Sequence, residues 1–373
     1  MPNSIYLPTE IVVLIVSLAA GSSGETQRQS TLYACCLVSQ QWYSAAVSFL
    51  YRKPRLKTGR SFAKFTRTVA PPLGERKSKL NLGEFVHRLD LGSLVHESSK
   101  SLTARLLGRI KTNLESFVAP SLSFSSNSLP ALSKCTNLHY LDLSLVGDPI
   151  PFTNLKKALN NLPKLTTVRL PRSTNLTDLS PTSQSIPWPP RLHRLQLSGR
   201  FSPFTIPTFA WPPSLTSLTL KNCQDLSVNH IGSLMSSPQL GRTLRRLTIS
   251  CANRGLHPES INAVPAFLPD LTYLCVPGDL VDDMFFELLT DKTHPIALQE
   301  LVFDHPFSDP ELGFSTQALI AALHAGLVNL QNIGFAERFC TDERIIADEE
   351  LDTILTERAP SGKDDVVCGV YYV

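Results

Sequence analysis

The chain has 373 residues, 42% of them apolar and 18% charged, which is enough to bury a large core and excludes a disordered polymer. Its formal net charge of +3 does not by itself indicate a nucleic-acid-binding protein. The eight cysteines include no Cys-x-x-Cys pair and no Cys/His grouping with zinc-ligand spacing. We therefore expect reduced, mostly buried thiols, no metal and no cofactor, in a protein of the cytoplasm, the nucleus or both.

The first predicted element is the apolar run from Ile11 to Ala20. Pro8 suits the first turn of a helix and Gly21 suits its end, although residues 11–16, which are mostly β-branched, also fit a buried strand. The run follows no Lys or Arg and is too short to span a bilayer, so we expect neither secretion nor a membrane. A helix that is apolar nearly all round must be covered on two sides, which indicates a partner.

The next predicted elements complete a recognisable motif. The segments LPTEI (7–11), CCLVSQQWYSAA (35–46) and FLYR (49–52) resemble the F-box, in the form common in fungal proteins. The resemblance implies a three-helix domain over residues 1–52 that docks on the Skp-type adaptor, and through it on the cullin, of a Skp–cullin–F-box (SCF) ubiquitin ligase. It also implies an adaptor-facing surface made of Leu7, Pro8, Ile11, Leu37, Val38 and Trp42. The alternative is that these helices only cap a repeat array.

A basic segment follows the F-box-like motif. The first 85 residues contain eleven Lys or Arg against four Asp or Glu, and most of this excess lies between Arg52 and Lys79. We interpret residues 53–85 as a basic linker or capping segment. Contact with nucleic acid is the alternative, but the segment has few aromatic residues besides Phe62 and Phe65 and no recognisable fold. We therefore favour a tether and expect no nucleic-acid partner.

The remainder of the chain contains a six-residue repeat: apolar, two variable, apolar, one variable, apolar. Copies begin at residues 86, 138, 165, 192, 215, 244, 271, 298 and 330, with a weaker copy at 114. Successive copies start 23 to 32 residues apart, which is the leucine-rich-repeat period. The last two apolar positions lie on one side of a strand, so stacked strands bury a continuous apolar wall.

The segments between copies indicate how the chain runs from the end of one strand to the start of the next. Residues 281–289 and 317–327 have helical spacing, as expected for the convex side of a solenoid. We predict an α/β fold, with the three-helix F-box followed by a leucine-rich-repeat horseshoe of about ten repeats and a parallel concave sheet over residues 86–336. A parallel β-helix enzyme has a similar period but lacks helical return segments.

The third, fifth and seventh positions of each copy are predicted to face the concave side. Four consecutive middle repeats each place a basic residue there, and two tyrosines lie near the boundaries: Arg169, Arg194, Lys221, Arg246, Tyr140 and Tyr273. Since neighbouring strands lie about 4.8 Å apart, we expect a single basic stripe. We predict that it receives an acidic or phosphorylated segment of an unknown substrate protein. The alternative is a solvated polar face without a specific role.

The last 37 residues are acidic. From residue 337 to residue 365 there are ten Asp or Glu against four Lys or Arg, so residues 337–373 are predicted to be an acidic tail or a terminal cap. The final segment, residues 366–373, is strand-like and is a candidate edge strand.

No catalytic motif is present. The sequence has no GxSxG, no GxxxxGK phosphate loop and no HExxH, and its nine histidines are dispersed. We therefore predict no enzymatic activity and a substrate-recognition subunit of an SCF-type E3 ubiquitin ligase. The alternative is a leucine-rich-repeat scaffold or regulatory protein that acts outside a ubiquitin ligase.

Overall fold

The computed structural model describes residues 7–21, 24–72, 74, 80–94, 100–177, 179–262, 264–290, 296–309, 311–339, 349–358 and 368–373. The chain divides into two compact units, residues 1–167 and 168–373.

The first unit begins with helices and continues with alternating strands and helices. Its helices are α1 (Thr9–Gly21), α2 (Glu25–Val38), α3 (Gln40–Arg52), α4 (Gly59–Val69), α5 (Lys100–Ile110), α6 (Leu129–Leu132) and α7 (Phe152–Asn160). Its strands are β1 (Arg88–Asp90), β2 (Ser116–Val118) and β3 (Tyr140–Asp142), and β4 (Thr167–Arg169) lies where the unit ends.

The second unit continues the same alternation. Its helices are α8 (Pro181–Ser185), α9 (Val228–Met235), α10 (Pro238–Thr243), α11 (Pro258–Asn262), α12 (Val264–Phe267), α13 (Asp283–Thr290), α14 (Thr316–His324) and α15 (Glu349–Thr356). Its strands are β5 (Asn175–Leu176), β6 (Arg194–Phe201), β7 (Ser217–Cys223), β8 (Arg246–Ile249), β9 (Tyr273–Pro277), β10 (Glu300–Asp304), β11 (Asn332–Phe335) and β12 (Gly369–Tyr372).

Helices α1–α3 share a small core of their own. Its buried members come from all three helices: Val12, Val16, Leu32, Ala45 and Ala46. The mostly β-branched run 11–16 is a helix and not a strand, and its Val12 and Val16 are buried in the core that α1 shares with α2 and α3. Ser39 alone separates α2 from α3, and its hydroxyl accepts a hydrogen bond from the backbone N of Trp42 at 3.3 Å.

Part of the segment that we interpreted as a basic tether is folded. Helix α4 begins with a capping box, in which the Thr58 and Ser61 side chains each accept a 3.2 Å hydrogen bond from the other residue's backbone N. Its apolar side buries Phe62 and Phe65, and the Phe65 ring stacks 6.0 Å from that of Tyr51. Residues 75–79 lie outside the described part of the chain.

The strands confirm the leucine-rich-repeat register. Each of β1–β4 and β6–β11 begins at the third position of a sequence copy, including the weak copy at 114. In the first unit the parallel register aligns Arg88, Ser116 and Tyr140. In the second unit it aligns the following third-position residues: Arg194, Ser217, Arg246, Tyr273, Glu300 and Asn332.

The predicted α/β solenoid fold is confirmed by this register and by the helical return segments. The fourth-position residues are buried in both units, with Leu89, Phe117, Leu218 and Leu301 at most 1% exposed. Helices α13 and α14 occupy the two segments in which helical spacing was recognised. These helices fit a leucine-rich-repeat solenoid and not a parallel β-helix.

The C-terminal segment adds a further strand. β12 pairs in parallel with β11, with Gly369 opposite Asn332, so the candidate edge strand is present. Residues 366–367 lie outside the described residues. Within the described ranges, no helix combines the length and apolar character that crossing a membrane requires.

An internal hydrogen-bond network stabilises the turn that follows β7. The Asn253 side chain accepts from the backbone N of Cys223 at 2.9 Å and donates to the carbonyl oxygens of Leu220 and Ser250 at 2.9 and 2.7 Å. These bonds give hydrogen-bond partners to buried backbone N–H and C=O groups at the turn where the chain leaves the sheet. Asn222 takes a left-handed conformation there, with φ of 58°, which Asn tolerates better than most residues.

Candidate protein-interaction surfaces

Leu7, helix α1 and the end of helix α2 expose large apolar side chains, and we call these side chains together the apolar helical surface. Only Val12 and Val16 of α1 are buried, so most of the apolar side chains of this helix remain uncovered in this chain. The exposed fractions are 37% for Leu7, 42% for Ile11, 55% for Leu14, 64% for Leu18, 69% for Leu37 and 64% for Val38. Exposed apolar side chains in such number are typical of a surface that binds a partner.

The residues predicted to face an adaptor lie at this surface, with one difference in role. The Gln41 side chain donates to the carbonyl oxygen of Leu7 at 2.8 Å, which holds the segment preceding α1 against the start of α3. Leu37 and Val38 end α2, directly before the Ser39 cap. Trp42 is half-buried and packs on the core of α1–α3, so its side chain also supports the fold.

Two exposed leucines of α1 are not among the residues that were predicted to face an adaptor. Leu14 and Leu18 continue the row that begins at Ile11, because steps of three and four residues return to one side of a helix. This periodicity was present in the sequence. It was obscured because the intervening positions are apolar as well.

We call the sheet face formed by the third, fifth and seventh repeat positions the variable face. In the second unit, Arg194 and Arg246 lie in the same row, on either side of Ser217. Lys221 lies four residues beyond Ser217, or roughly 13 Å along β7. Leu170 N donates to Gln196 O at 3.0 Å, which places Arg169 beside Gln196 and not beside Arg194. The four cations therefore occupy three rows and form a broader patch than a single stripe.

The positive charge of Arg246 is offset by neighbouring side chains on the variable face. Its guanidinium lies 3.6 Å from the centroid of the Tyr273 ring, and its Nη2 lies 3.7 Å from Oε2 of Glu300. Glu300 also accepts a 2.6 Å hydrogen bond from the hydroxyl of Tyr371 in β12. Burial, followed by this hydrogen bond and the nearby negative charge of Glu300, raises the pKa of Tyr371, so the phenol stays protonated and donates.

Arg194 and Lys221 differ from Arg246 in this respect. Both side chains are exposed, and neither makes an ion pair with a carboxylate among the described residues. The charges of these two groups are therefore available to a ligand. Tyr140 lies in the first unit, where its hydroxyl donates to Asp142 Oδ2 at 3.1 Å, and its ring is half-buried.

The described residues offer no grouping of three His, Cys, Asp or Glu that could hold a metal ion. The described cysteines are free thiols. Burial raises the pKa of Cys135, Cys223 and Cys275 to about 12, so these thiols stay protonated and poorly nucleophilic at neutral pH. Cys340 lies outside the described residues.

Comparison with known proteins confirms the expected similarity to fungal F-box proteins. The chain is 32% identical to "F-box protein YDR306C" of Saccharomyces cerevisiae over 238 residues, which are 64% of this chain and 48% of that protein. It is 26% identical to "Protein pof5" of Schizosaccharomyces pombe over 297 residues, covering 79% of this chain and 81% of that protein. The match thus spans about half the length of the first relative. No family model matches the chain.

A solved structure whose chain aligns with most of this one is that of the yeast Rad7 and Elc1 complex. The two chains are 16% identical, with a TM-score of 0.41, and the match covers 91% of this chain and 84% of the other. This score is low, so the fold described above rests on the strand register of the chain itself.

Proposed function

We propose that this chain is the substrate-recognition subunit of an SCF-type E3 ubiquitin ligase. In this role, residues 1–52 dock on a Skp-type adaptor and through it on a cullin, and residues 86–336 bind the substrate protein. The observation that carries the proposal is the uncovered apolar side of α1 and of the end of α2, in a chain similar to a protein named as an F-box protein. Recruitment of this kind requires no catalytic group in the chain.

The energetics of the apolar helical surface support stable docking. Leu14, Leu18, Leu37 and Val38 are each more than half exposed. Burying a fully exposed aliphatic side chain contributes about 1.5–3 kcal/mol, and the exposed parts of these four equal about two and a half such side chains, so covering them supplies roughly 5 kcal/mol before the costs of association. An exposed surface of this size is also an aggregation liability if it stays uncovered, which favours an obligate partner.

The adaptor-binding half of the proposal is tested by a pull-down of the purified chain with a Skp-type adaptor. The variant Leu37→Glu/Val38→Glu places two charges on the apolar helical surface without removing a buried side chain. The matched control is Leu122→Glu/Phe204→Glu, whose residues are 60% and 89% exposed and lie outside α1–α3. We expect the first variant to lose the adaptor and the control to retain it. Failure of the unmodified chain to bind any Skp-type adaptor would refute the proposal.

We propose that the variable face binds the substrate, and that Arg194 and Lys221 are the main cationic residues in contact with it. Arg169, Arg246, Tyr140 and Tyr273 line the same type of face and contribute shape and secondary contacts. Exposed arginines suit bidentate hydrogen bonds to carboxylate or phosphate groups. An acidic or phosphorylated segment of a protein is therefore the ligand that fits this patch.

The substrate-binding half is tested by quantitative mass spectrometry of proteins that co-purify with the chain. Arg194→Glu/Lys221→Glu reverses the two free charges, and Arg191→Glu/Arg242→Glu is a charge-matched control at exposed positions off the variable face. We expect a subset of proteins to be lost with the first variant only, while the adaptor and the cullin are retained. An identical set of proteins for both variants would contradict the assignment. Retention of the adaptor without a cullin would instead favour a scaffold outside a ligase.

A further inference from the structure

A cationic cavity lies in the first unit where the chain leaves α3 and enters β1. Its volume is about 260 Å³, and its walls come from α2, residues 53–57, β1 and β2. Five of the lining residues are cationic and one is anionic: Arg28, Lys53, Arg55, Lys57, Arg88 and Asp90. Neither the F-box resemblance nor the proposed adaptor contact uses this group of residues.

The segment that carries three of these cations is held beside β1 by hydrogen bonds. The carbonyl oxygen of Arg52 accepts from His87 N at 3.0 Å, and Arg55 forms a parallel bridge with Asp90. The backbone N of Arg55 also donates to Gln29 Oε1 at 3.2 Å. The cationic groups are therefore carried by ordered backbone, which reduces the entropy lost when a ligand binds.

Four cations that line the cavity have no ion-pair partner among the described residues. Arg28, Arg55, Lys57 and Arg88 make no ion pair with a described carboxylate, and Oδ1 of Asp90 accepts from Gly92 N at 2.9 Å. The Nε of Arg55 is buried and has no hydrogen-bond partner. A buried donor without an acceptor is costly, and like charges in one cavity repel each other, so the site favours an anion.

We propose that this cavity binds a phosphate group, carried either by a free phosphorylated small molecule or by a phosphorylated side chain. With Lys53 set aside, the lining still has an excess of three positive charges, which a phosphate dianion offsets better than a single carboxylate does. Guanidinium groups match the geometry of phosphate oxygens, and Arg28, Arg55 and Arg88 supply three. The volume is several times the roughly 30 Å³ that a water occupies in the liquid, which leaves room for the group and its first attached atoms.

The position of the cavity adds a functional consequence. Arg88 and Asp90 are the third- and fifth-position residues of the first repeat, so the cavity opens on the variable face of the first unit. A phosphate bound there bridges residues 53–57 to β1. It therefore also stabilises the junction between α3 and the first repeat.

The test is isothermal titration calorimetry of the full chain with sodium pyrophosphate and with O-phosphoserine, at ionic strength held constant with sodium chloride. We expect saturable binding of at least one probe, weakened at least tenfold in Arg55→Gln/Arg88→Gln. The matched control is Arg60→Gln/Lys64→Gln, which removes two exposed cations of α4 that do not line the cavity and should leave the affinity unchanged. The thermal midpoint of each variant without ligand verifies that it is folded.

Each outcome decides the proposal. Tighter binding of pyrophosphate supports a free phosphorylated small molecule as the ligand, and tighter binding of O-phosphoserine supports a modified side chain. Absence of binding to both probes at millimolar concentration overturns the proposal. Equal weakening in the two double variants also overturns it, because a general effect of surface charge would then explain the binding. The adaptor pull-down is a separate readout, so the failure of this site is distinguishable from the failure of the proposed ligase role.

Discussion

Replacing Gly199 with Ala tests how much the close contact between β5 and β6 depends on a residue without a side chain at this position. Gly199 has φ of +92°, and a Cβ built there collides with the carbonyl oxygen of Thr174. That oxygen cannot withdraw freely, because it accepts a 2.9 Å hydrogen bond from Arg200 N. A left-handed backbone costs an L-residue about 1–2 kcal/mol, overpacking about 1–3 kcal/mol and the lost hydrogen bond about 1 kcal/mol. We therefore expect Gly199→Ala to lower the free energy of unfolding by about 4 kcal/mol.

The assay is urea unfolding followed by far-ultraviolet circular dichroism, with Gly232→Ala as the matched control. Gly232 lies inside α9, and a Cβ there meets no atom within 4 Å. The same substitution should raise stability by about 1 kcal/mol at this position, because Ala favours a helix over Gly. A loss of less than about 1 kcal/mol in Gly199→Ala, or equal midpoints for the two variants, would refute the argument from backbone geometry.

The remaining predictions concern three charged or ionisable groups. Asp279 accepts hydrogen bonds of 2.7, 2.7 and 2.9 Å from the backbone N–H groups of residues 307–309, so Asp279→Ala should cost about 3 kcal/mol in urea unfolding, and Asp279→Asn less. Lys156 is 1% exposed and burial lowers its pKa to about 8, below the unfolded value of 10.5. The folded protein therefore loses stability as the pH falls from 10.5 to 8, because the unfolded chain binds the Lys156 proton more tightly. We expect Lys156→Met to raise the free energy of unfolding by up to about 3 kcal/mol at pH 7 and by little above pH 10.5. The pKa of Tyr371 is raised above 10, so the stability that its protonated hydroxyl contributes is complete below pH 10 and is lost at higher pH. We therefore expect the thermal midpoint of Tyr371→Phe to fall less steeply above pH 10 than that of the unmodified chain.

The repeat register was predictable because burial enforces it. Each copy places apolar residues two apart, and a shift of one residue would turn Leu218 or Leu301 out of the core. The same rule contains the signal for β12: the pattern Val367-x-x-Val370-x-Tyr372 matches the earlier copies, although it begins 37 residues after the last one. The interval was longer than the others, so the match was not recognised as a repeat.

The structure of residues 53–72 was not predictable from charge alone. The basic residues of α4 lie on its exposed side, and they obscured the spacing of Phe62, Phe65 and Val69, which is that of a buried helix face. The role of Asn253 was missed for a different reason. It lies one residue later in its repeat than Cys223 does in the preceding repeat, so the two were not recognised as partners.

Side-chain pairing across strands decides which charges of the variable face are free, and no sequence pattern shows it. Gly334 lacks a Cβ, which would lie 2.7 Å from Cζ of Tyr371, so the Tyr371 ring can cross β11 and reach Glu300 in β10. Glu300 in turn pairs with Arg246, which stacks on Tyr273. This series of contacts joins β8 to β12 and neutralises the cation of β8. If the proposed acidic substrate binds here, it would therefore meet its positive charge on Arg194 of β6 and Lys221 of β7.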